Sequence, residues 1–414
     1  MDEVITTVIM SRVTDFFGFF VYAIASALVF PALFFPNFDP VTGTLLSFGI
    51  FSLAFIARPF AYILGRWVQT VIGRPGKVTV ALLVFGTSTM AIGFLPGYAT
   101  IGIWAPIMLA VLRFGQGIGL GAAWDGITLK LQTAAPKGKE VIYAMVPQLG
   151  GPIGFIVAAS LFYVLTGFLT EEEFMSFGWR FAFFGVLAVN VVSLFARIRL
   201  MTADFGGDEM DQTATQTTPL VPLIKHQWKP ILLSTMLPLA SYALFHMVTV
   251  FPVAYAYLYI GHDIHLILLW QLIGATLAIG SVVASGILAD RIGRYPTLAI
   301  ASALIVPLCF VIPTMDGNPA VYIVLGFVVL GLLFGQASAI APARFDPKYC
   351  FSGSALSVNL SWIVGAAFAP LIGVGLTAAY GLGASAAYLL SGVVVTWIAL
   401  YFHRKWKDQP AEAS

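Results

Sequence analysis

Charged positions along the chain gather into short clusters, and between the clusters lie long stretches with no Asp, Glu, Lys or Arg. These stretches run over 16–38, 78–112, 141–170, 230–262, 264–289, 317–343 and 349–403. A helix that crosses a bilayer takes about 20 apolar residues, so the longest stretches must each hold two helices. They turn back at internal breakers, Leu95-Pro96-Gly97 in one and Tyr380-Gly381-Leu382-Gly383 in another. The pattern predicts helices near 12–35, 43–65, 78–95, 101–130, 140–166, 179–200, 229–257, 264–289, 297–314, 320–343, 352–378 and 383–402. The expected fold is an all-α membrane protein with 12 transmembrane helices.

The cluster Gly286-Ile287-Leu288-Ala289-Asp290-Arg291-Ile292-Gly293-Arg294 sets three full charges against apolar runs on both sides. A tight loop between two membrane helices requires such a neighbourhood. A degraded copy spans Gly65 to Lys77, around Gly73-Arg74, and Gly73 lies 220 residues before Gly293. Phe114-Gly115-Gln116 recurs as Phe334-Gly335-Gln336, again 220 residues on. Two matches at one offset predict a tandem duplication. The halves are expected as pseudo-symmetric six-helix bundles over 1–200 and 229–414, joined by a linker over 201–228. Asp204, Asp208, Glu209 and Asp211, followed by a Thr/Gln run, make that linker a solvated tether.

Composition agrees with a lipid surround. The chain is 59% apolar and 10% charged, where a water-soluble globule carries about a quarter charged residues. Basic residues then set orientation. With both termini cytoplasmic, eighteen of the 21 Lys and Arg fall in or beside cytoplasmic segments, and the opposite side keeps only Arg180. Arg58 and Arg113 lie within predicted helices. The first helix is too long, and its Met1-Asp2-Glu3 start too acidic, for a cleavable signal peptide. Cys309 and Cys350 have no metal or redox spacing and read as structural.

The six-plus-six plan, the Gly-x-x-x-Asp-Arg-x-Gly-Arg loop and Arg113-x-x-Gln-Gly-x-Gly on the fourth helix together resemble the major facilitator superfamily. Within it the chain is similar to the metabolite:proton symporter family. That resemblance rests on Phe19-Phe20-Val21-Tyr22, Ala57-Arg58-Pro59, the run Leu95 to Pro106, and Phe177-Gly178-Trp179-Arg180. The family contains carriers for shikimate, α-ketoglutarate, citrate and proline/betaine, so the resemblance implies a major facilitator fold and secondary transport. Three positions depart from its pattern. Gly18 stands where a carboxylate is usual, Thr70-Val71 replaces the first-half Asp-Arg pair, and Ala123 takes the place of a helix 4 carboxylate, with Asp125 two residues on.

Charge inside a bilayer is costly, so it tends to face a partner or a water-filled cavity. Arg113 lies about twelve residues into its helix, near mid-depth at ~1.5 Å per residue. It is expected to face a wet passage, binding a substrate carboxylate or partnering an acid; the other reading is a structural Arg held by oxygens between helices. Asp15 and Asp125 are the carboxylate candidates for proton coupling, together with Arg113. Both sit near helix ends, where an interfacial acid is the bland reading; Asp15 is the favoured one of the two, because Tyr22, seven residues on, shares its helical face. His246 is the one mid-helix histidine and could relay protons; a neutral core histidine is the plainer reading. Tyr22, Gln148, Tyr242, Gln336, Asn359 and Trp362 could line a cavity, although each alone reads as packing. The resemblance makes Asp290, Arg291, Gly293, Arg294 and Arg74 a cytoplasmic gate. Gly117, Gly119 and Gly121 are expected to let helices approach closely, and Pro152, within Gly150-Gly151-Pro152, to bend its helix.

The leading expectation is proton-coupled uptake of a small organic acid or zwitterionic metabolite by alternating access. The alternatives are an uncoupled facilitator or exchanger of the same fold, and a non-transporting membrane sensor. No phosphate loop, metal cluster or nucleophile elbow suggests an enzyme. The expected partners are the metabolite, protons and the bacterial inner membrane, with no nucleic acid, metal or cofactor, and the carrier is expected to act as a monomer.

Overall fold

The computed structural model describes residues 2–122, 131, 135–136, 138–202, 218–261, 263–340 and 345–407. Eleven helices there are long and apolar enough to cross a membrane, or twelve with one bent pair counted as a span. They are α1 (Ile5–Leu28), α2 (Pro40–Ala61), α3 (Gly76–Gly93), α4 (Trp104–Ala122), α5 (Glu140–Phe168) and α6, the pair Glu171–Gly178 and Arg180–Val191 bent by 45°. The second set is α7 (Leu220–Ile260), α8 (Ile264–Ile292), α9 (Arg294–Asp316), α10 (Pro319–Ala337), α11 (Pro347–Tyr380) and α12 (Leu382–Trp406). Each overlaps a helix expected from the sequence, because run length follows bilayer thickness. However, α1 begins at Ile5 rather than near 12 and α7 at Leu220 rather than near 229, so 220–228 of the expected linker is helix and not tether.

Ends and turns are set by local chemistry. Asp39 caps α2 by accepting from the amides of Val41 at 3.1 Å and Thr42 at 3.0 Å. Its hydrogen bonds with Thr42 hold the carboxyl below the ordinary Asp range. Asp263 caps α8 in the same way through the His265 amide. The α2–α3 connection is tighter than a loop. Helix continues from Pro40 to Gly93, broken only at Gly73, whose φ is 74°. Gly293, at φ 93°, makes the corresponding break between α8 and α9. Both are left-handed angles that favour glycine, so the duplication is visible in backbone geometry as well as in sequence. On α5 the expected bend is a 3-10 turn over Val146–Leu149, just before Gly150 and Pro152.

Within the first half, α4 packs on α2 and α3, and α1 on α5 and α6; within the second, α8 packs on α10, and α7 on α10 and α12. The halves meet where α5 lies along α8, α11 crosses α2, and α1 touches α7. Glycines make the α4 contacts possible. A Cβ on Gly117 would collide with the Ala54 carbonyl, one on Gly119 would lie 2.7 Å from the Ala81 carbonyl, and one on Gly121 would lie 2.7 Å from the Ala61 Cβ.

Candidate functional site

The centre of the molecule, where the halves meet, is filled with rings. On α2, Phe51, Phe55 and Arg58 share one face because they are four and three residues apart. From α1 come Phe19 and Phe20, from α7 Phe245 and His246, and from α11 Trp362. Phe19 lies 5.7 Å from Phe51 and 5.5 Å from Phe55, Phe55 stacks on Trp362 at 5.8 Å, and Phe20 stacks on Phe245 at 5.5 Å. Beside this layer, Phe20, Phe155, Phe245, Phe327 and Phe334 border a small apolar cavity at the α5–α8 seam.

Arg113 lies against one side of the layer and is 0% exposed. Its Nε donates to the Phe51 carbonyl at 3.1 Å and its Nη1 to Gln116 Oε1 at 2.9 Å. Gln116 in turn donates to Thr89 at 2.7 Å. The guanidinium sits 3.8 Å from the centre of the Tyr22 ring and 4.8 Å from that of Phe51. Cation–π contact of this kind compensates part of a buried charge. Nη2 has no hydrogen-bond partner. The wet passage expected beside Arg113 is not seen: the side chain is fully buried between α2 and α4 and held by carbonyl and amide oxygens, which is the geometry of the other reading.

Arg58 is a second cation at the layer and was not among the site residues expected from sequence. Its guanidinium is 5.1 Å from the ring centres of both Phe55 and Trp362, and its Nε is buried without a partner. The signal available was its charge inside an apolar helix, on the face of Phe51 and Phe55. Tyr242 packs on Trp362 at 4.6 Å and feels the Arg58 charge, as Tyr22 feels that of Arg113. Tyr22 and Tyr242 are themselves 220 residues apart (242 − 22), so the duplication supplies each arginine with an equivalent tyrosine.

The other expected residues divide. Arg113, Tyr22, Tyr242, His246 and Trp362 come together. Gln336 does not join them: its amide donates to the Ser285 carbonyl at 2.9 Å, tying α10 to α8. Gln148 and Asn359 are buried on α5 and α11, with no hydrogen bond to the central residues among the described ones. Asp15 accepts from Arg12, three residues earlier, at 3.4 Å rather than from Arg113. Asp125 lies outside the described residues. At Gly18 a Cβ would come within 2.7 Å of the Phe85 ring and 2.8 Å of Val186, so the space a carboxylate would need is occupied.

At the end of α8 the Asp290 carboxylate faces the backbone amides of Val141 and Ile142 in the first turn of α5, with Glu140 and Arg294 in electrostatic reach. Helix N-termini attract negative charge, so this contact closes the halves on the face that holds the chain ends. Arg291 is exposed, Gly293 makes the turn, and the Arg74 side chain lies outside what is described. At the opposite end of the same seam, Tyr163 of α5 stacks on His265 of α8 at 3.6 Å. Gly167 allows this approach, since a Cβ there would lie 2.8 Å from the imidazole.

Comparison with known proteins points one way. The profile described as Major Facilitator Superfamily matches residues 16–349. The inner membrane metabolite transport protein YhjE of Escherichia coli strain K12 is 35% identical over 99% of this chain and 95% of its own length. The shikimate transporter of the same strain is 28% identical over 88% of this chain and 85% of its own. Among solved structures, the partially occluded inward-open conformation of the xylose transporter XylE from E. coli matches with a TM-score of 0.72. That match is 14% identical and covers 99% of this chain and 97% of that one.

Proposed function

The chain belongs to the Major Facilitator Superfamily and transports metabolites across a membrane, and from that premise we propose proton-coupled uptake of a small carboxylate. One observation carries this reading: a fully buried arginine at the contact of the halves keeps one amino group without a partner. A guanidinium cannot shed its charge and pairs two-pronged with a carboxylate. Arg113 Nη2, with the Tyr22 hydroxyl, also without a partner, would take the cargo carboxylate once the ring layer parts. Access then alternates as the two six-helix bundles rock about the site, with the linker between them and both termini on the cytoplasmic side of the bacterial inner membrane. Asp290 at the α5 N-terminus would latch the cytoplasmic side, and Tyr163 on His265 the other.

The tight packing around Gly18 favours a second reading, uncoupled exchange, because the usual carboxylate is missing and its space is filled. Uptake of radiolabelled succinate and shikimate into cells, at two external pH values and with or without a protonophore, separates the two. Accumulation that rises at acid pH and collapses with the protonophore is expected. Accumulation indifferent to both rejects coupling.

A further inference from the structure

The centre holds a base that a carboxylate-based account leaves unused. His246 is 0% exposed, and its ring lies 5.1 Å from Phe51, 5.4 Å from Phe19 and 5.8 Å from Phe55. Its Nδ1 is 3.3 Å from Thr249 Oγ1. That hydroxyl has a single hydrogen, which it donates to the Phe245 carbonyl at 2.8 Å. Towards the imidazole it can therefore only accept. Nδ1 carries the ring hydrogen, and Nε2 is a bare lone pair with no partner. A buried acceptor without a donor is destabilising, yet the fold keeps one among the fully buried rings at its centre.

Two positive charges flank this base. Arg113 stands beyond Phe19 and Phe51, and Arg58 beyond Phe55 and Trp362. Both lie within electrostatic reach of the imidazole. From the other packed elements, α1 offers Tyr22 and Asp15, which is bonded to Arg12 and within electrostatic reach of Arg58; α7 offers Tyr242; α11 offers the Trp362 ring. An imidazolium here would be a third cation beside two, so the empty site opposes protonation. A carboxylate between the guanidiniums reverses that balance.

Resting on the reading of the chain as a proton-coupled carboxylate carrier, we propose that His246 carries the proton, loading Nε2 only when a cargo carboxylate lies between Arg113 and Arg58. The proton comes from water on the side of loading and leaves to water on the other side once the anion departs. No bond of the cargo changes. Cargo and proton each stabilise the other's binding, and that reciprocity is what couples them. Coupling of this kind needs no carboxylate at position 18.

The test uses the purified full-length carrier in weakly buffered detergent with a pH-indicator dye, exposed to a mixture of lactate, succinate, citrate and shikimate. Wild type is expected to take up protons as the acids bind, and His246→Gln to take up about tenfold fewer, while Glu172→Gln, in the exposed first turn of α6, keeps the uptake. Carboxylate exchange by His246→Gln in proteoliposomes shows that the variant is folded. A second readout needs no variant: the imidazole carbon resonance of labelled His246 should report a neutral ring between about pH 6 and 8 without the acids and an imidazolium with them. Undiminished proton uptake by His246→Gln, or a resonance the acids do not move, overturns the proposal and leaves symport standing. Absence of proton uptake by wild type overturns symport, and this proposal with it.

Discussion

Arg113, fully buried at the centre, and Arg180, half-buried at the start of the second segment of α6, differ in what their hydrogen bonds leave over. Arg180 directs Nη1 to the carbonyls of Gly93 at 2.7 Å and Leu95 at 2.9 Å, and so ties α6 to the end of α3. Arg113 leaves Nη2 without a partner in the centre. Arg113→Ala is therefore expected to weaken carboxylate binding by about a hundredfold or more. Arg180→Ala should lower the melting temperature but leave affinity nearly unchanged, which thermal-shift titration with organic acids distinguishes. Asp15 shows the limit of reading residues singly. Helical spacing put it on the face of Tyr22, but the same spacing puts Arg12 within its reach, and the nearer partner took it.

At the scale of elements, helix positions were legible because an uncharged run is a direct consequence of spanning lipid. The break at Gly293 was legible for a related reason, since charge and a flexible glycine can sit together only at an interface. The ring layer was not. Phe19, Phe51, Phe55 and Phe245 come from three helices that are apolar on every side, and nothing in their periodicity separates a phenylalanine facing lipid from one facing the centre. The α4 glycines lay between these cases. Their i, i+2 spacing announced close packing without saying against what, and the structure supplies α2 for Gly117 and Gly121 and α3 for Gly119. Gly117→Ala is expected to cost about 1–3 kcal/mol, because the backbone of Ala54 must move. Gly49→Ala, where a Cβ meets nothing within 4 Å, is the control, and melting in detergent measures both.

At the scale of the whole molecule the two gates are unequal. The second half contributes Asp290 to the first turn of α5. The corresponding place in the first half has Thr70, whose hydroxyl donates to the Trp67 carbonyl of its own helix, and Val71, 65% exposed. If the Asp290 contact is the proposed latch, one made by one half alone should hold its side less firmly. Thr70→Asp with Val71→Arg is expected to shift the carrier towards the outward-open state, raising periplasmic labelling of a cysteine placed in the α1–α7 seam. An unchanged labelling pattern rejects the idea. The guanidiniums of Arg58 and Arg113 have a consequence of another kind. Whenever access switches sides, they move through part of the membrane voltage, with or without cargo. On the proposed coupling, a monocarboxylate that enters with a proton adds no net charge, so steady uptake would be electrically silent while each half of the cycle is not. An energised membrane, negative inside, draws the empty carrier inward, and its resetting to the outside becomes the step that voltage slows.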